Sequence, residues 1–164
     1  MRRTIVILAV LGLVLAGVPA GADSGQRPFK GSMSGEVTWS LDNHCMLGLS
    51  TDSTATGNAS HLGRMTMTSQ HCTPAGHDLT GGVMTFFAAN GDEVSLDYWG
   101  YTPTVDELVP GEVFTVDLEF LITAGTGRFE NATGGGLMTA FVLFENLSAP
   151  VVAASWTWGG TIGY

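Results

Sequence analysis

Two dipeptides, His44-Cys45 and His71-Cys72, hold both cysteines of the chain and are its most obvious candidates for chemistry. Two thiolates and two imidazoles make a nominal zinc set. Neighbouring residues on a strand point to opposite faces, however, so such dipeptides converge poorly on one ion. In an oxidising compartment the two cysteines pair with each other instead. Closing a loop of about 28 residues then contributes roughly 3–4 kcal/mol on the chain-entropy account. A Cys45–Cys72 disulfide is the expectation, zinc is its rival, and no metal residue is assigned.

Acid–base chemistry is the second possibility. Asp117 and Glu119 lie two residues apart, with Asp97 and Tyr98 on a neighbouring run. Carboxyls enclosed in an apolar interior gain raised pKa values and can act as general acids. Yet Phe114, Val116, Leu118, Phe120 and Ile122 alternate with these acids and claim the opposite face, which leaves the carboxylates to solvent. No catalytic residue is assigned. The histidines fall between positions 44 and 77, and no Gly-x-Ser-x-Gly elbow occurs. Gly125-Thr-Gly127 has Glu130 where a dinucleotide fingerprint requires glycine, and no Gly-Lys-Ser/Thr follows, so no nucleotide cofactor is expected.

The elements that must carry these residues read as strands. Phe114–Thr123 and Leu137–Phe144 are two β-type runs joined by a glycine-rich connection in which Phe129 turns inward as a plug while Arg128 and Glu130 face water. The second run is apolar on both faces and asks for cover on both sides. Upstream, residues 23–30 read as frayed as far as Phe29. A strand then starts at Gly31, with Val37, Trp39 and Leu41 on one face. Thr51–Asn58 reads as a polar loop without apolar anchors, His61–Ser69 as a strand, and Gln70–Gly82 as a long loop pinned by the disulfide. Gly82–Ala89 and Asp92–Tyr101 flank Asn90-Gly91, which predicts a type I′ hairpin. Pro103–Gly111 is an acidic loop, and Val151–Tyr164 is a regular closing strand with Trp156, Trp158, Ile162 and Tyr164 on one face. About eight strands with no amphipathic helix predict an all-β chain. The count and the doubly apolar run favour an antiparallel barrel over a sandwich.

Arg2 and Arg3, the apolar run Ile5–Val18 and Ala20-Gly21-Ala22 have the layout of a secretory signal, cleaved after Ala22. The mature chain, residues 23–164, is expected to be a single extracytoplasmic domain with no membrane association after cleavage. It keeps four basic residues against fifteen acidic ones, a net charge of −11. That balance argues against nucleic acid and anionic membranes, which require clustered positive charge. Asn58-Ala-Ser, Asn131-Ala-Thr and Asn146-Leu-Ser match glycosylation sequons that matter only in a eukaryotic secretory host; otherwise they read as turn residues.

Three segments carry a family resemblance: Gly57-Asn-Ala-Ser-His-Leu-Gly-Arg-Met-Thr66, Phe87-Ala-Ala-Asn-Gly-Asp-Glu-Val94 and, most specifically, Gly125-Thr-Gly-Arg-Phe-Glu-Asn-Ala-Thr-Gly134. In this order they resemble secreted bacterial proteins of the allene oxide cyclase barrel-like group, to which plant dirigent proteins are also similar. The resemblance spans most of residues 29–164. It implies an eight-stranded antiparallel barrel with a hydrophobic cavity, and homo-oligomers, trimers in the plant relatives. The shared residues are turn glycines and plug aromatics, and no match exists to the cyclase's catalytic groups or to the dirigent acidic and basic site residues.

Two functions from different classes follow as expectations. The first is a non-catalytic barrel binding a small apolar ligand or a partner surface, with Trp39, Phe86, Trp99, Phe120, Trp156 and Trp158 as the residues that could line a cavity. These rings could equally fill a small barrel completely. The second is a cyclase- or isomerase-like enzyme acting on a hydrophobic substrate, and it requires the carboxylates to point inward.

Overall fold

The computed structural model describes residues 25–40, 45, 48–74, 78–146, 148–149 and 151–164. The expected signal segment, Leu41, His44 and His77 lie outside the described residues. Eight strands run in chain order: β1 (Arg27–Ser40), β2 (Gly48–Ala59), β3 (Gly63–Pro74), β4 (Asp78–Ala88), β5 (Glu93–Tyr101), β6 (Glu112–Gly125), β7 (Thr133–Phe144) and β8 (Val151–Gly163). Each pairs antiparallel with the next, and β8 returns to pair with β1, so the sheet is a closed barrel without a free edge. The expected barrel and its closing last strand are present.

Alternation decides what fills the barrel. Val116, Leu118, Phe120 and Ile122 of β6 point inward, as do Met138, Ala140 and Val142 of β7, and Val152, Ala154, Trp156 and Trp158 of β8. At the end where β1 begins and β8 finishes, large rings pack against one another in the interior. Phe86 stacks on Trp158 with centroids 5.1 Å apart and planes 14° apart, and Phe29 meets Phe86, Phe120 and Trp158 at 6.2, 6.3 and 6.0 Å. Phe129, fully buried, plugs this end from the β6–β7 connection and meets Tyr164 edge-on at 4.8 Å. Outside the plug, Arg128 pairs with Asp92 at 3.4 Å and donates to the His61 carbonyl, so the β6–β7, β4–β5 and β2–β3 connections are latched together. We refer to this as the closed end.

Several expectations are corrected. Arg27 and Pro28 are not frayed; they open β1 and pair with Ile162 and Thr161 of β8. Thr51–Asn58 is no loop but the body of β2, and the supposed loop after Gln70 continues β3 to Pro74, with β4 starting at Asp78. Both segments were hard to read because their inward residues are small or polar. The Asn90-Gly91 hairpin exists but is not type I′, which needs positive φ at both central residues. Here Gly91 alone has positive φ (89°), Gly91 N–H donates to the Ala88 carbonyl at 3.0 Å, and Ala88 N–H donates to the Asp92 carbonyl at 2.9 Å. That is a three-residue loop, a tight turn followed by a left-handed glycine. The outer face of β7 has no second layer: Leu137 is 66% exposed and Phe141 36%. A meander closed on itself has no further sheet to place there.

Candidate functional site

The end opposite the plug is built differently. The β1–β2, β3–β4, β5–β6 and β7–β8 connections meet there, and the barrel holds a cavity of about 110 Å³ instead of stacked rings. A dry cavity of ~150 Å³ admits benzene, so this somewhat smaller space sets one small ring as the upper limit for a molecule held wholly inside.

Its walls separate by chemistry because neighbouring strands bring like residues to the same level. On one side two cross-strand rows run over β1, β2 and β3: Trp39, Thr51 and His71, then Val37, Ser53 and Ser69. The opposite wall is apolar throughout, with Phe114, Val116 and Leu118 of β6, Ala140 and Val142 of β7 and Trp156 of β8. Leu79 and Leu108 add apolar surface. No Asp, Glu, Lys or Arg is among the described lining residues.

His71 and Tyr98 form the polar centre. The Tyr98 hydroxyl lies 2.7 Å from His71 Nδ1, with the two rings nearly perpendicular at 79°. They meet although β4 runs between their strands, and β4 yields because it carries glycine where the rings cross. A Cβ at Gly82 would stand 2.6 Å from the Tyr98 ring. Just before it, Gly81 takes positive φ (66°) at an irregularity in the β4–β5 pairing. The bare backbone lets the phenol lie across β4 and reach β3.

Burial sets the protonation states. It lowers the His71 pKa from 6.5 to about 4, so the ring is neutral at pH 7. Burial likewise pushes Tyr98 above the ordinary phenol range, the Asp52 charge adds to that, and a hydrogen bond from Ser69 opposes it. A phenol O–H is a stronger proton donor than a neutral imidazole N–H, so we assign the short contact as Tyr98 donating to His71 Nδ1, which leaves the imidazole proton on Nε2. Trp39 also lines the cavity; among the described residues its buried indole N–H has no hydrogen-bond partner, and the same holds for Trp158 in the packed core. Such an orphan donor costs about 1–3 kcal/mol.

The disulfide stands at the rim. Cys45, in the β1–β2 connection, bonds to Cys72 of β3 with Cα atoms 5.5 Å apart. It fastens that connection to the strand position next to His71. Both sulfurs are consumed, so neither is a thiolate ligand for zinc.

The six aromatic residues considered from sequence separate into three groups. Trp39 and Trp156 line the cavity. Phe86, Phe120 and Trp158 belong to the packed core nearer the closed end. Trp99 is 40% exposed on the outer face. Asp97, Asp117 and Glu119 are exposed as well, with Asp117 accepting from the Thr139 hydroxyl at 3.0 Å. The sequence pattern puts Tyr98 on one face with Val94 and Leu96 but gives it no role, and it does not join Thr51, Ser53, Ser69 and His71 into a set. The available signal for His71 is parity, since it shares its face with Met65 and Met67.

Comparison with known proteins returns no matching family model, no similar curated protein and no similar solved structure.

Proposed function

We propose that the protein is an extracytoplasmic binding protein that takes a small, predominantly apolar molecule into the open end of its barrel. The observation that carries this is the contrast between the ends: packed rings occupy one, while about 110 Å³ is left at the other between an apolar wall and a polar one. A protein selected for stability alone would fill that space, since cavities lower stability in proportion to their volume. The Cys45–Cys72 disulfide supports an oxidising location. The resemblance of Gly125–Gly134 to the allene oxide cyclase barrel-like group agrees with a barrel that carries a hydrophobic cavity. A cyclase- or isomerase-like reading requires Asp97, Asp117 and Glu119 inside the barrel, and these carboxylates face solvent. That observation favours binding over catalysis.

Titration with toluene tests the reading. Trp39 and Trp156 line the cavity, so their emission is expected to change saturably with one equivalent bound. Ala140→Leu, which fills the space from β7, is expected to abolish the response at a stability cost of about 1–3 kcal/mol. A linear, non-saturating response, or one that Ala140→Leu leaves intact, would contradict an internal site.

A further inference from the structure

We infer that the ligand is a neutral, single-ring molecule carrying a carbonyl oxygen, which accepts a hydrogen bond from His71 Nε2–H at the polar wall while its ring lies against β6–β8. This deepens the binding reading and rests on it.

Three observations lead to that class. The first is charge. Among the described residues the cavity offers no cation to receive an anion and no carboxylate to receive an ammonium group. An ion entering it would lose hydration without gaining a partner, which strongly disfavours charged ligands. The second is the donor count. Tyr98 gives its proton to His71 Nδ1 across a 2.7 Å contact, so the neutral imidazole keeps a donor at Nε2 and no free acceptor. The donor at His71 Nε2 is matched by an acceptor, and a ketone is an acceptor only. The third is shape. The polar lining comes from β1–β3 with Tyr98 of β5 and Thr102 just after it, while β6–β8 contribute only apolar side chains, so a molecule with one polar edge and one apolar body satisfies both sides in a single orientation.

The test uses three ring compounds of similar size, cyclohexanone, methylcyclohexane and cyclohexanecarboxylate, titrated calorimetrically into the disulfide-bonded protein at pH 7. Cyclohexanone is expected to bind about tenfold more tightly than methylcyclohexane, the value of one net hydrogen bond. The carboxylate is expected to bind most weakly. His71→Phe is expected to erase the ketone preference while methylcyclohexane still binds. In wild-type protein, the ¹⁵N signal of His71 Nε2 is expected to shift on adding cyclohexanone while Nδ1 stays in place, a readout independent of the variant's folding. Equal affinity for ketone and hydrocarbon, a preference that survives His71→Phe, or an Nδ1 shift in place of Nε2 would each overturn the carbonyl assignment and leave cavity binding standing. Binding of none of the three compounds would remove both.

Discussion

The neutral state of His71 makes a prediction that does not depend on any ligand. In the unfolded chain this histidine binds a proton near its ordinary pKa of 6.5, whereas in the folded barrel it does so only near 4. Between those values the unfolded state holds more protons, so folding stability falls as the pH drops through that window. Above about 6.5 neither state is protonated and the term is flat; below about 4 both are protonated and it is flat again. At 1.36 kcal/mol for each tenfold change in proton affinity, the window removes about 3 kcal/mol. That is a large part of the 5–15 kcal/mol typical of a domain.

Among the described residues, the groups facing His71 give no route for relief. Thr51 stands opposite on β2, Tyr98 reaches it from β5, and Ser69 and Thr73 flank it on β3. None is a carboxylate that could stabilise the imidazolium. The assay is urea unfolding followed by tryptophan emission at pH 7.5, 6, 5 and 4, comparing wild type with His71→Gln. Glutamine keeps an acceptor for Tyr98 and does not titrate. Contributions from the other histidines and from the carboxylates are common to both proteins and cancel in the difference. The wild type is expected to lose about 3 kcal/mol more than the variant between pH 6.5 and 4. Curves that stay parallel to within about 0.5 kcal/mol would mean the ring is hydrated when folded, and the closed polar wall described above would be wrong.

Two further perturbations probe what positions the site. Gly82→Ala puts a methyl group 2.6 Å from the Tyr98 ring, so the phenol must withdraw from His71; we expect a loss of about 1–3 kcal/mol in urea unfolding and a rise in the His71 titration midpoint seen by NMR, and an unchanged midpoint would refute the role of the bare β4 backbone. Cys45→Ser with Cys72→Ser removes a crosslink between residues 27 apart; we expect a loss of roughly 3–4 kcal/mol in the same assay, and amide exchange accelerated at the ends of β2 and β3 beside the cavity while the closed end is spared. Uniform acceleration across the barrel would show that the bridge stabilises the whole fold and not the rim.

Much of the architecture was legible in the sequence, and the exceptions share one physical cause. β6 and β8 were legible because large apolar side chains mark most inward positions, although Val113, Leu121 and Val151 are large and face outward, and beyond Ile162 the alternation ends with Gly163 buried and Tyr164 exposed. The plug at Phe129 and the pairing of Cys45 with Cys72 were legible from glycine spacing and from cysteine count. β2 was not, because its inward residues at the open end are Thr51 and Ser53, and an apolar-alternation test cannot tell such a strand from a loop. The same holds for β3 beyond Gln70, where His71 and Thr73 turn inward. Trp99 shows the converse. Its large ring suggested a cavity, but the alternation that places Leu96 and Tyr98 inside puts Trp99 outside, and parity outranks residue size.

The failure of pattern reading at β2 and β3 is thus itself informative about function. In a barrel this narrow the interior is the core, and a row of hydroxyls and an imidazole inside it displaces apolar contacts that would otherwise stabilise the fold. The rest of the molecule offsets that loss: stacked aromatics and a latched plug secure the closed end, and a covalent bridge secures the rim at the strand that carries His71. Stability is concentrated where the cavity is absent, and a crosslink is supplied where packing is incomplete. Such a distribution is what a binding site requires of a small scaffold, since the walls must stay in place without the ring-on-ring contacts that would fill the space between them.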